Sequence, residues 1–307
     1  MIVVSPSIST TSLLTVDIFR ENIVRDSVQD NLPLSAAMAA REVVAAQRSG
    51  EAMVLVLITH GPSDTLGRRV AIKQSKDGEL TKIGSFQEND LDNQAMELAN
   101  TALESPHIQK NTSHNLTVNS GETYKLFLEA HHPPPELTIV GAGHIAQPLC
   151  SITAMLGFNV TVIDDREEFV TPKRFPKADR LMEVDFTRPF KDIVIGYNSY
   201  IVLVTRGHKY DFECLRFLLR NTIEPSYIGM IGSRRRIRAA FIQLINDQLD
   251  PDRIARIRAP LGLDIGAETP AEIAISVAAE LVLLSRKGDG VPLSQKENIF
   301  NRFFKEE

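Results

Sequence analysis

Short apolar runs alternate with helix-forming stretches along most of this chain. Residues 53–58 (MVLVLI), 137–140 (LTIV), 159–163 (NVTVI), 200–204 (YIVLV) and 227–231 (YIGMI) are short and rich in β-branched side chains. Runs of this kind predict buried strands. Residues 35–48 begin at Ser35, a natural cap, stop before Gly50 and predict a helix. Further helices are expected over 92–103, 212–220 and 235–249, with a short one over 16–28. Residues 68–73 and 79–84 look like two strands joined through Lys76, Asp77 and Gly78 as a hairpin, and 123–130 reads as a strand.

These elements divide into two groups. Residues 1–130 mix a hairpin, strands and helices, as in a small N-terminal α+β domain. His131, His132, Pro133, Pro134 and Pro135 then form a stiff connector, because consecutive prolines favour extended chain and cannot enter a sheet interior. The histidine pair reads as part of a solvated linker rather than as metal ligands. From 136 to 307 strands and helices alternate, which predicts a Rossmann-like, doubly wound parallel sheet in a protein of the α/β class.

The richest stretch is residues 136–165, ELTIVGAGHIAQPLCSITAMLGFNVTVIDD. Gly141, Gly143 and Ala146 fit G-x-G-x-x-A between a strand and a helix. Gly141 would make the tight turn, Gly143 would let backbone approach a pyrophosphate, and Ala146 would let the helix pack close. The helix start offers free N–H groups and a positive dipole end to an anion. Gly157 is expected to stop that helix. Asp164, followed by Asp165, stands at the spacing where a carboxylate takes a ribose 2′-hydroxyl, so NAD or another adenine nucleotide is favoured over NADP.

Other strand ends carry candidate chemistry. Gly232 and Ser233 open a helix on which Arg234, Arg235, Arg236 and Arg238 cluster, a potential receptor for phosphate or carboxylate. Thr205, His208 and Asp211 follow the strand at 200–204; the histidine and the acid could bind metal, shuttle a proton or cap the next helix, and capping is the expectation for Asp211. His144 lies inside the glycine fingerprint. Residues 165–180 are too rich in proline and charge for a core element. Thr269, Pro270 and Glu272 predict a capped helix start, while Asp264 and Glu268 in the preceding loop have no evident structural role.

Composition narrows the choice of function. Hydrophobic residues make up 43% and charged residues 24% of 307, ordinary for a globular protein. The net charge of −5 argues against a general nucleic-acid binder. Two cysteines, Cys150 and Cys214, exclude a disulfide scaffold or cysteine zinc ribbon and suit the reducing cytoplasm. Neither a secretory leader nor a membrane span is expected from the apolar runs.

LTIVGAGHIAQPL, VTVIDDREEF with RFPKAD, YIGMIGSRRR and APLGLDIGAETPAEIAISVAAEL together resemble the XdhC/CoxI family, accessory proteins of xanthine dehydrogenase and related molybdenum hydroxylases. The N-terminal half matches more loosely, through LVLITH, RRVAIKQSKDGEL and Gly84-Ser85. The resemblance implies binding of molybdenum cofactor (molybdopterin), help with its sulfuration or protection, and delivery to an apo xanthine dehydrogenase-type enzyme. A cysteine desulfurase as partner and a homodimeric state are implied with it, as is a non-catalytic role. Where the family commonly has Gly-Gly-Cys followed by Glu, this chain has Glu88, Asn89 and Asp90, with Asp92 as the acid; Arg206 replaces a histidine beside Thr205. Two rival readings are an NAD-dependent oxidoreductase using His208 or His144 for proton transfer, and a nucleotide-sensing regulatory module.

Overall fold

The computed structural model describes residues 31–75, 77–103, 111–297 and 299–304, without the side chains of His208, Asn301 and Phe304. The helix expected over 16–28 and the turn residue Lys76 lie outside the described residues.

The first half builds an antiparallel sheet flanked by two helices. In chain order these are α1 (Ala36–Ser49), β1 (Ala52–His60), β2 (Arg69–Gln74), β3 (Leu80–Ile83), α2 (Asn89–Leu103), β4 (Thr112–Thr117) and β5 (Thr123–His131). Ser35 caps α1 by accepting from the Met38 N–H, and Gly50 ends it in the left-handed conformation at φ 71°. The strands lie in the order β3-β2-β1-β5-β4. Central β1 is apolar on both faces because α1 covers one, around Met53 and Ala71, and α2 covers the other with Leu91, Ala95 and Ala99. Strand β4 goes beyond the sequence-based expectation. Its sequence TSHNLT has little apolar signal, as suits an edge strand paired only to β5.

The second half is doubly wound. It runs β6 (Glu136–Val140), α3 (Ala146–Met155), β7 (Asn159–Asp164), β8 (Arg180–Glu183), β9 (Ser199–Leu203), α4 (His208–Arg220), β10 (Tyr227–Met230), α5 (Arg234–Asn246), α6 (Pro251–Ala255) and α7 (Pro270–Ser285), then two short helices, α8 (Leu293–Glu297) and α9 (Ile299–Phe304). The order β10-β9-β6-β7-β8 is parallel throughout. Leu149 of α3 and Val277 of α7 fill one face; Leu215 of α4 with Ile237 and Leu244 of α5 fill the other. The capping box at Thr269 and Glu272 starts α7 as its sequence indicates. Arg180 proves to begin an edge strand, β8, rather than to end a loop.

Between the sheets lie residues 132–135, since β5 continues through His131 and β6 starts at Glu136. This segment is pinned rather than solvated: Pro133 is buried, His131 and His132 are half-buried, and Asn198 donates to the Pro134 carbonyl at 2.8 Å. The hydroxyl of Tyr197 accepts from the Ala52 N–H at 3.3 Å, linking the loop before β9 to β1.

Candidate functional site

In the parallel sheet, successive connections from β6 run to β7 and β8 on one side, then return to β9 on the other. The crevice of such a sheet opens at the carboxyl ends of the strands where the order reverses, here between β6 and β9. Residues following β6, β7, β9 and β10 therefore converge on one edge. The sequence-predicted candidates other than Asp264 and Glu268 lie at or after the ends of those four strands.

The two fingerprint glycines do different work. Gly141 has φ +105°, and a β-carbon there would stand 2.8 Å from the Val204 carbonyl oxygen. Its N–H donates to Ile163 O at 2.7 Å, and Val204 N–H donates to Val140 O at 2.9 Å, so the turn is wedged between its neighbours. Gly141 is thus required by the fold itself. At Gly143 a β-carbon would meet nothing within 4 Å. Its small size leaves the backbone open from outside, as ligand approach demands. Helix α3 begins only at Ala146, which is fully buried, and His144 stands exposed in the preceding turn.

Asp164 departs from the expected ribose role. It is 2% exposed, and its carboxylate accepts from the Ala142 N–H at 2.8 Å. Arg166 folds back onto it through Nε at 2.8 Å and Nη2 at 3.0 Å, and the Arg166 N–H adds a contact at 3.2 Å. Burial pushes this carboxyl up, but the hydrogen bonds from Arg166 and Ala142 with the Arg166 charge outweigh it and hold the group below its ordinary value. Asp164 therefore ties the glycine turn to the end of β7. Asp165 is likewise engaged, receiving Nη1 and Nη2 of Arg206 at 2.7 and 2.8 Å. Arg206 also reaches Asp164 at 3.5 Å and the Tyr210 hydroxyl at 2.9 Å, so it spans from β9 to β7 across the end of β6.

A third arginine completes this side. Arg174 Nη2 donates to the Ala142 carbonyl at 2.9 Å, inside the glycine turn. Its guanidinium lies 4.5 Å from the centre of the Phe169 ring, which Arg166 also covers at 3.5 Å. Among the described residues no carboxylate pairs with Arg174, and its Nε is buried without a hydrogen-bond acceptor. Sequence reasoning passed over Arg166 and Arg174 because they sit in a stretch that reads as loop. The available signal was an acid at a strand end with an arginine two residues on, close enough to neutralise it.

On the other side, Thr205 and Asp211 are both buried and bonded to each other at 2.5 Å through Thr205 Oγ1. Arg236 reaches in from α5 to Asp211 and to the Thr205 hydroxyl at 3.2 Å. Asp211 is not the cap of α4; that position is Gly207, and Asp211 lies inside the helix as the anchor for Arg236. His208 opens α4, but its side chain lies outside the described residues. Gly232 leads into Ser233, which caps α5 by accepting from the Arg236 N–H at 3.3 Å. Arg234 and Arg235 remain exposed beside it. Asp264 and Glu268 are exposed in their loop.

Neither cavity volume nor metal chemistry relocates the site. A cavity of about 610 Å³ opens at the other end of β10 around Glu224, Tyr227, Arg253 and Leu284. There Arg253 is spent on the carbonyls of Leu218, Leu219 and Asn221 at the end of α4. A smaller cavity of about 270 Å³ adjoins the crevice between Asp165, Phe186 and Tyr210. Among the described residues no cluster of three metal-ligating side chains occurs, and both cysteines are free and buried. No helix among them is long and apolar enough to cross a membrane.

Known proteins share this sequence in part. Over 171 residues the chain is 32% identical to the uncharacterized protein YqeB of Escherichia coli K12, covering 55% of this chain and 31% of that one. Over 161 residues it is 32% identical to a probable xanthine dehydrogenase subunit of Bacillus subtilis 168, covering 52% and 46%. The chain thus spans less than half the length of either relative. A crystal structure of a xanthine dehydrogenase from Bacillus halodurans aligns with 83% of this chain and 98% of its own, at 20% identity and a TM-score of 0.46. Residues 137–281, which include both fingerprint glycines and the four strand ends, match the XdhC Rossmann domain.

Proposed function

We propose that this chain is an accessory protein of a xanthine dehydrogenase-type enzyme, and that its parallel sheet holds a phosphate-bearing ligand at the glycine turn. The observation that carries the ligand reading is the open face over Gly143 beside the start of α3. The accessory role is supported by the XdhC Rossmann match and by the name of the Bacillus subtilis relative. In this reading molybdenum cofactor is cargo, held by its phosphate and passed to an apo-enzyme from a cytoplasmic homodimer.

The residues fit one end of that cargo better than the other. A phosphate suits the turn and the surrounding guanidinium groups. The metal end would find no thiolate here: Cys150 and Cys214 are buried, and burial pushes the Cys150 thiol up to about 11. Sulfuration would then depend on sulfur brought by a partner such as a cysteine desulfurase. Calorimetric titration of the purified chain with anaerobically prepared molybdenum cofactor, NAD and AMP tests the reading. Tight cofactor binding that is lost in Gly143→Val is the expected result. NAD binding accompanied by NADH turnover would replace it with an oxidoreductase.

A further inference from the structure

We infer that the carboxyl end of β7 is a receptor for a second phosphate, formed by Arg166, Arg174 and Arg206, so that the crevice takes a ligand carrying two phosphate groups rather than one presenting a bare diol there. This rests on the reading of the glycine turn as a phosphate site and specifies what lies beside it.

Three observations carry the inference. First, the carboxylate that would recognise a diol is consumed: Asp164 is 2% exposed and is bonded to Ala142, Arg166 and Arg206. A 2′-hydroxyl would have to displace charge-assisted bonds to reach it, which a neutral group does poorly. Second, the arginines outnumber their partners. Asp164 and Asp165 balance Arg166 and Arg206, whereas Arg174 has no carboxylate among the described residues. Third, Arg166 and Arg174 both lie within 5 Å of the centre of the Phe169 ring, and the Nε–H of Arg174 is buried with nothing to accept it. An oxyanion beside these arginines would supply the negative charge that Asp164 and Asp165 do not provide for Arg174. In dinucleotide folds this strand end faces the ribose, and an arginine there accommodates a 2′-phosphate.

Arg206 would be shared in such a complex. Its side chain is 42% exposed and that of Asp165 is 26% exposed, so the pair can open toward a stronger acceptor at little cost. This excess of positive charge counts against a preference for NAD over NADP, which requires an unpaired Asp164 to repel a 2′-phosphate.

The test is calorimetric titration of the full chain with AMP, adenosine 2′,5′-bisphosphate and inorganic phosphate at low and high salt. The bisphosphate should bind at least ~10-fold more tightly than AMP, with a steeper loss of affinity in salt, because it gains charge-assisted bonds. Arg206→Gln and Arg174→Gln should each pull the bisphosphate's affinity toward that of AMP. Equal affinity of the two nucleotides for the wild-type chain would overturn this inference and leave the glycine turn standing. Failure of both nucleotides to bind would overturn the glycine-turn reading and this one with it. Inorganic phosphate that competes with the bisphosphate but not with AMP places the second receptor apart from the turn, as expected. Competition with AMP alone would count against it.

Discussion

Asp92 in the first turn of α2 and Asp164 at the end of β7 are both buried acids that organise backbone, yet only Asp164 stands beside the proposed ligand site. Asp92 is 5% exposed and accepts from Lys82 Nζ at 2.6 Å, Ser85 Oγ at 2.6 Å and the Phe86 N–H at 2.9 Å. One cation and two neutral donors close the arrangement around residues 82–92. Asp164 instead meets two arginines with a third nearby. A buried acid alone therefore indicates a strut. Cationic groups in excess of what the acid needs are what indicate a ligand.

Several substitutions would break or sharpen that contrast. Asp164→Ala should have the largest effect, about 3–5 kcal/mol in urea unfolding, because it leaves Arg166 without its partly buried partner and frees the glycine turn. Gly141→Ala should follow at about 2–4 kcal/mol, from the positive φ and the contact with the Val204 carbonyl. Asp92→Ala should cost about 1–3 kcal/mol, and ligand affinity should stay unchanged in it. Loss of ligand binding in the Asp92 variant would erase the distinction between strut and site.

Acid should separate the wild type from an Asp164 variant. The folded-state carboxyl of Asp164 lies below its ordinary 3.8, so its contribution is fully present above that value and is lost as pH falls through the lower folded one. Between pH 5 and pH 3 the urea midpoint should drop further for wild type than for Asp164→Asn; parallel drops would show that the pairing with Arg166 is not the cause. The smallest stability effect is expected for Arg234→Ala with Arg235→Ala. These exposed side chains should change stability by no more than ~0.5 kcal/mol while weakening an anionic ligand in a salt-sensitive manner. Unchanged affinity at low salt would assign both to a solvated helix face.

The contrast also explains what could be read from the chain. Strands such as β6, β7 and β9 were legible because burial on both faces demands unbroken apolar residues, and α1 and α7 announced themselves through Ser35, Gly50, Thr269 and Pro270. β4 and β8 were not, since an edge strand needs only backbone pairing on one side. The position of Gly141, Gly143 and Asp164 was legible too, but the carboxylate's partners were not. Whether Asp164 faces a ribose or an arginine depends on how residues 165–174 fold back over the turn, and local periodicity carries no record of that.

The suspension of Gly141 between β7 and β9 bears on the order of assembly. β6 and β7 are joined by a single helix, whereas β9 pairs with β6 only after the chain has passed through β8. Contacts between such distant segments form slowly, because the loop entropy must be overcome before they are rewarded. A chain in which β9 has not docked has a glycine turn but no crevice. Binding of the proposed ligand would thus report a completed parallel sheet, and a bound ligand would add its free energy to the contacts that arrive last.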